Sequence, residues 1–356
     1  MLPNVSHSNS SAMAHVPVLA AEVSQLLELR PGHTVIDCTF GAGGHAALLE
    51  PQLGPDGTYV AIDRDPDAKH YFDAFAAKAT ARTRFVRGNF ALALRNLAAT
   101  GTQADAVLMD LGISSMQVDQ PERGFSYAAD APLDMRMDPA SELTAAEVVN
   151  EWDEREIAQV LAQYGEERFA RQIARSIVRR RATEPFERTG DLVDVIKSAI
   201  PTPSRFGQGH PAKRSFQALR IAVNDELESL REGLDNALEA LRPGGRMAVI
   251  SFHSLEDRIV KRFIRDGARG CTCPPEFPIC VCGHEPVLRS LTGRAVVPTV
   301  DERGENPRSA SAKLRAAERA GGECASPPRR RVPPVRGAQR PGRGVPASPG
   351  GARGRG

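Results

Sequence analysis

Two acidic residues and a cluster of glycines are the first groups in this chain with the types and spacing to do chemistry. The run Thr34-Val-Ile-Asp37-Cys-Thr-Phe-Gly41-Ala-Gly43-Gly44-His45 is an apolar strand that stops in a glycine turn and opens a helix. Backbone N–H groups and a helix N-terminus then lie at the carboxyl edge of a parallel sheet, where a nucleotide-like ligand can bind. A second apolar run, Thr58-Tyr-Val-Ala-Ile, ends in Asp63, about 20 positions beyond the glycines. A carboxylate at that strand tip is placed to accept hydrogen bonds from a ribose. The alternative is a plain strand-to-helix turn in which the glycines serve only packing.

These residues need a sheet to hold them, and the chain supplies one. Residues 84–90 read as a third strand, 91–99 as a helix, and Ala104-Asp-Ala-Val-Leu-Met-Asp110 as a fourth strand ending in a carboxylate. The next β-type run, Arg246-Met-Ala-Val-Ile-Ser-Phe-His253, follows Pro243-Gly-Gly only after roughly a hundred residues of helical pattern. The fold class expected from this alternation is α/β with an inserted helical domain, and its glycine loop resembles that of a Rossmann-like, class I S-adenosylmethionine-dependent methyltransferase. Asp37 followed by Gly41-x-Gly43-Gly44 departs from G-x-G-x-x-G and resembles the S-adenosylmethionine site of that class. The boundaries expected are an extension at 1–12, the methyltransferase domain at 13–120 and 226–300, and the helical insert at 121–225. A segment at 301–326 should pack on the core, and 327–356 is a tail.

Within the insert, Thr144-x-x-Glu147 and Asp153-x-x-Glu156 are capping boxes, and Gly165 is placed to end the second helix. A third helix over 166–181 puts Phe169, Ile173 and Ile177 on one face and Arg168, Arg171, Arg175 and Arg179 on another, extended by Arg180 and Arg181. A second basic cluster, His210, Lys213, Arg214 and Arg220, leads into a long helix burying Phe216, Leu219, Val223, Leu227, Leu230 and Leu234. A stripe of one sign repels itself unless an anion neutralises it, which favours nucleic acid; a solvated basic face is the alternative.

At 41% hydrophobic and 25% charged the composition is globular, and no run of 18 apolar residues reads as a membrane span. No leader is seen, so a cytoplasmic protein without membrane association is expected. Eight Arg and no acidic residue lie between 327 and 356, so the net +2 of the chain leaves −6 on the rest. Such a Pro-, Gly- and Arg-rich tail should be disordered. It serves either as a solubilising extension or as a contact for polyanions.

Longer blocks carry a family resemblance: His15-Val-Pro-Val-Leu, the glycine run above, Asp63-Arg-Asp, Asp110-Leu-Gly-Ile-Ser-Ser-Met-Gln-Val-Asp119, Gly124-Phe-Ser-Tyr, Leu133-Asp-Met-Arg-Met-Asp138, Tyr164-Gly-Glu-Glu, Ser251-Phe-His-Ser-Leu-Glu-Asp-Arg258 and Asn306-Pro-Arg-Ser. From about His15 to Arg319 the chain resembles the ribosomal RNA small subunit methyltransferase H family, the 16S rRNA cytosine-N4 methyltransferases. The resemblance implies methyl transfer from S-adenosylmethionine to the exocyclic N4 of a cytosine in the decoding region of 16S rRNA, within the small ribosomal subunit. It implies cofactor contacts at Gly43, Gly44, His45, Asp63, Phe90, Asp110 and Gln117, and no requirement for a metal. A homodimer is kept open.

The chemistry suits those positions: Asp63 for the ribose, Phe90 over the adenine face, His45 for the methionine part, and the loop after Asp110 where methyl and base meet. Asp110 is the first candidate acceptor for the amine proton, with His253 and Glu256 second. Phe125 and Tyr127 are candidate walls for an extruded base. DNA amino-methyltransferases usually carry Asp/Asn/Ser-Pro-Pro-aromatic after the fourth strand; Asp110-Leu-Gly-Ile lacks that clamp. Cys271-x-Cys273 and Cys280-x-Cys282 are too tightly spaced for the usual zinc hook but keep zinc open; Cys38 reads as buried and Cys324 as a tail thiol. Ala310 stands where the family more often shows a second arginine. A same-fold methyltransferase acting on DNA or a small molecule, and a non-catalytic RNA-binding assembly factor, are the alternatives.

Overall fold

The computed structural model describes residues 17–205, 209–270, 273 and 282–321. The extension at 1–12, His15, Cys271, Cys280, Cys324 and the tail from 327 lie outside the described residues.

Seven strands form one sheet: β1 (Thr34–Asp37), β2 (Thr58–Asp63), β3 (Arg82–Arg87), β4 (Ala104–Asp110), β5 (Leu241–Ser251), β6 (Leu288–Ser290) and β7 (Lys313–Arg319). Their order is β3-β2-β1-β4-β5-β7-β6. β1 to β5 are parallel, and β7 runs antiparallel to both β5 and β6. Strands buried on both faces read as continuous apolar runs, and alternate residues serve opposite cores. Ile36, Val60, Ile62, Val107 and Met109 pack under the helices Phe90–Ala99, Glu226–Ala240 and Ser254–Gly267. Val35, Tyr59, Ala61, Ala106 and Leu108 face the other side, under the helices Ala20–Leu27, Gly44–Leu49 and Ala68–Ala76. Each fully buried aliphatic contributes about 1.5–3 kcal/mol.

The structure shifts several boundaries. β3 begins and ends earlier than expected; it stops short of Phe90 because Asn89 caps the following helix, accepting the Ala91 N–H at 2.8 Å. β5 starts at Leu241 rather than Arg246; the Pro243-Gly-Gly segment is absorbed as an irregularity where Ala104 pairs with Leu241 but Ala106 with Arg246. The 301–326 segment does more than pack on the core, since it supplies β7.

Between β4 and β5 a separate apolar cluster gathers Phe125, Leu133, Val148, Ile157, Leu161, Ile173, Ile177, Phe186, Leu192, Phe216 and Leu219. Both capping boxes form. The second helix ends at Gly165, but Glu166 takes the left-handed backbone (φ 48°). Gly165 is needed for a different reason: a Cβ there would lie 2.6 Å from the Arg214 carbonyl oxygen on the crossing helix Lys213–Asn224. The third helix starts at Ala170 rather than 166, because the chain must turn through 166–169.

The expected long helix through 216–234 is two helices, Lys213–Asn224 and Glu226–Ala240, broken at Asp225 (φ 48°). The break is held from outside. The Arg64 guanidinium donates to the Asn224 carbonyl at 2.8 Å, and the Asn224 side chain accepts the Met137 N–H and donates to the Met135 carbonyl, both at 2.8 Å. No helix among the described residues is long and apolar enough to cross a membrane.

Candidate active site

A cleft of about 210 Å³ opens at the carboxyl ends of the central strands. At its floor, the Asp37 carboxylate turns inward rather than toward the cleft. It accepts the Tyr59 hydroxyl at 2.8 Å and the Thr39 N–H at 3.1 Å, and burial pushes its pKa up to about 6. Asp37 therefore fastens the loop to the sheet. Gly43, with φ 80°, would bring a Cβ to 2.9 Å from the Phe40 ring, so a bare backbone is needed to close the turn. Gly41, Gly44 and His45 line the cleft; Gly43 lies behind them.

Asp63 stands at the tip of β2, facing the cleft. Its carboxylate accepts the Gly41 N–H at 2.7 Å and the Asp65 N–H at 2.9 Å, which ties the glycine loop to the acid expected to hold a ribose. A carboxylate offers about four acceptor sites, so two protein donors leave room for hydroxyls. Burial pushes its pKa up to about 6 in spite of these bonds.

The tip of β4 and the helix after the glycine turn each carry an atom that the protein leaves unsatisfied. His45 Nε2 and Asp110 Oδ1 are buried and lack a hydrogen-bond partner. The pair is an ion pair rather than a hydrogen bond, with His45 Nε2 3.6 Å from Asp110 Oδ2. Burial opposes the His45 imidazolium, but Asp110 and Asp37 raise its pKa above the ordinary value. Buried polar atoms are normally paired, so orphans converging on one cleft signal a ligand that completes them.

Phe90 and Gln117 also line the cleft. Phe90 packs where a Cβ on Gly233 would come within 2.3 Å of its ring. Gln117 is committed to the protein: its Nε2 donates to Asp65 Oδ2 at 2.8 Å and its Oε1 accepts the Ser114 N–H at 3.1 Å. Asp65, fully buried, also pairs with Arg123 at 3.0 Å. The second acid of Asp63-Arg-Asp65 is thus a hub that holds the loop after β4, a role the sequence signalled only as a repeated acid.

His253 does not line the cleft. It is the N-cap of the helix Ser254–Gly267; its Nδ1 accepts the Glu256 N–H, and its Nε2 lies 3.1 Å from Glu256 Oε1. Glu256 does line the cleft, with Glu226, Arg64, Phe252, Asn306 and Arg308, which sequence reasoning missed or placed second. Burial opposes the Glu256 carboxylate, but His253 and Arg220 hold its pKa low. It stays an anion and is a poor proton acceptor.

Glu226, His253 and Glu256 bring donor atoms within 4.8 Å of one another, a spacing suited to a cation. The cation is already present as protein. Arg220, from the second basic cluster, is half-buried and pairs with Glu226 at 2.8 Å, and the cap bond to Nδ1 directs the His253 proton to Nε2.

Phe125 and Tyr127 are not walls of the cleft. Phe125 is buried in the insert's core, and Tyr127 stacks on His210 with centroids 4.6 Å apart. The basic stripe is also narrower than expected. Arg168, Arg171, Arg175 and Arg179 are exposed, and Arg175 lies 3.6 Å from Glu154. Arg180 turns back to Glu184 at 2.9 Å and Arg181 to the Val149 carbonyl at 2.7 Å.

A parallel sheet ordered β3-β2-β1-β4-β5, a glycine turn after β1, a ribose-competent acid at the β2 tip and orphaned polar atoms beside β4 define a Rossmann-like, class I S-adenosylmethionine-dependent methyltransferase. The chain belongs to the MraW methylase family, whose model matches residues 12–320. It is 52% identical over 308 residues to the ribosomal RNA small subunit methyltransferase H of Heliobacterium modesticaldum, covering 86% of this chain and 98% of that one. Identity to the same-named protein of Geobacter sulfurreducens is 54% over 307 residues, 86% of this chain and 99% of the relative. For that of Symbiobacterium thermophilum it is 53% over 306 residues, covering 86% and 96%.

Proposed function

We propose that the protein transfers a methyl group from S-adenosylmethionine to the exocyclic N4 of a cytosine in the decoding region of 16S rRNA, in the cytoplasm. The observation that carries this is Asp110 Oδ1, a buried acceptor left without a partner on the carboxylate that lines the cleft at the tip of β4. S-adenosylmethionine, when bound, supplies an electrophilic methyl on a sulfonium. Asp63 would take the ribose hydroxyls, Phe90 the adenine face, and His45 the methionine carboxylate; Gly41 and Gly44 leave the backbone open beside them.

A cytosine amine is a poor nucleophile because its lone pair is delocalised into the ring. Asp110 Oδ1 can accept the amine N–H, returning density to nitrogen while the cleft fixes it on the order of 3 Å from the methyl. A non-catalytic assembly factor would not need these orphaned groups. Mass spectrometry of 16S rRNA from a strain lacking the protein should show one cytosine without its N4 methyl, restored by the wild-type chain. An unchanged rRNA would overturn the assignment.

The helices over 121–225 are proposed to recognise the RNA, with 13–120 and 226–300 as the catalytic domain. Arg171, Arg175 and Arg179 form an exposed stripe on the helix Ala170–Arg181. Reversing all three to Glu is expected to weaken binding to the small subunit and flatten its salt dependence, by roughly 0.7–0.9 in log–log slope for each phosphate that is no longer neutralised. Cofactor affinity should be unchanged. The same slope in the triple variant would make the stripe a solvated face only.

A further inference from the structure

We propose that Phe252 is the platform on which the target base stacks during methyl transfer, an assignment that rests on the methyltransferase function proposed above. Among the described residues three phenylalanine rings line the cleft: Phe40, Phe90 and Phe252. Phe40 is buried among Phe72 and Phe75, with centroids 5.7 and 5.6 Å away, and has no face to offer. Phe90 lies beyond β3 against Gly233, on the side of the cleft that the ribose acid Asp63 shares. Phe252 belongs to the other side.

The register of the sheet places it there. β4 and β5 are parallel with Asp110 opposite Ile250, and the Leu111 N–H donates to the Ile250 carbonyl at 2.9 Å. Two residues further on, Gly112 lies beside Phe252, so the ring adjoins the same loop that presents Asp110. Gly112 has φ 97°, and a Cβ on it would stand 3.6 Å from Phe252 Cδ2. Any side chain at 112 would therefore rest against the ring, and glycine leaves that surface open.

The ring is held in place by a device the reaction does not otherwise use. Glu256 Oε2 accepts the Phe252 N–H at 2.8 Å and the His253 N–H at 3.2 Å, and the other Glu256 oxygen faces His253 Nε2. The Ser251-Phe252-His253-Ser254 turn is thus locked at both ends, and the His253–Glu256 pair, rather than moving protons, clamps the backbone of Phe252. A half-buried ring on a fixed backbone beside the methyl-accepting position suits a flat, uncharged heteroaromatic such as a pyrimidine, which stacks in a sequence-tolerant way and loses little entropy on docking.

The test compares Phe252→Tyr and Phe252→Leu on small subunits isolated from a strain lacking the modification. Leucine keeps apolar bulk in the fold but has no π-face; tyrosine keeps the ring. Phe252→Leu is expected to lower kcat/KM by about 5- to 160-fold, the range for removing one base–aromatic stack. Phe252→Tyr should stay within a few fold of wild type, and both should bind S-adenosylmethionine as wild type does by calorimetry. Wild-type turnover by the leucine variant, equal losses in both variants, or a parallel fall in cofactor affinity would each overturn the platform. Inactivity of the wild-type chain on the same subunits would instead overturn the methyl-transfer function, and the assignment of Phe252 with it.

Discussion

Replacing Asp110 by asparagine is expected to slow methyl transfer by about 10²–10⁴-fold, the range for loss of a positioned proton acceptor. The substitution keeps the volume of the side chain, and the Asp110 backbone N–H still donates to Thr39 Oγ1 at 2.7 Å, so the β4 tip should hold its shape. What changes is the group that Asp110 presents to the cleft. An amide has one acceptor oxygen and a donor NH₂, and it no longer offers a charge to the amine or to His45, whose imidazolium Asp110 supports. Single-turnover rates on small subunits check the result, with cofactor affinity measured beside them. That affinity should change less than the rate does, since Asp63 and Phe90 are untouched by the substitution. A wild-type rate would remove Asp110 from the acceptor role.

Asp63→Ala is expected to cost about 1.5–3 kcal/mol of cofactor affinity, or about 13- to 160-fold, for each charge-assisted bond to a ribose hydroxyl that is lost. Its pH dependence distinguishes this from general damage. In the free protein burial raises the Asp63 pKa to about 6, and hydroxyl donors favour the carboxylate, so the proton and the cofactor compete. Wild-type affinity should be full above about pH 7 and fall below about pH 6, by at most tenfold per pH unit. Asp37 also titrates near pH 6 but remains in the variant, so the difference between the two proteins isolates Asp63. Calorimetry across pH 5–8 checks it; a variant with the same acid limb as wild type would remove Asp63 from the site.

Much of the scaffold was legible because its signals are local. The alternation Val35/Ile36 and Tyr59/Val60/Ala61/Ile62 needs only a pleated strand to assign each residue to one of two cores, and a capping box is complete within four residues. The glycine turn after β1 and the acid at the tip of β2 are likewise properties of a strand end. Asp37 shows where local reading stops: the acid was visible, but Tyr59, 22 residues on, turns it inward.

The composition of the cleft wall was a matter of distant contacts. Arg220 reads as one of several basic residues and becomes the partner of Glu226 only because the helix breaks at Asp225, and that break is held by Arg64, 160 residues from Asn224 in sequence. Phe252 meets Gly112 through the β4–β5 register, and Asn306 and Arg308 reach the cleft because β7 lies antiparallel beside β5. Periodicity and motif spacing report the geometry of one element at a time. Which charges neutralise each other, and which ring faces the substrate, follow from elements separated by the insert, whose packing brings their backbones within hydrogen-bond distance.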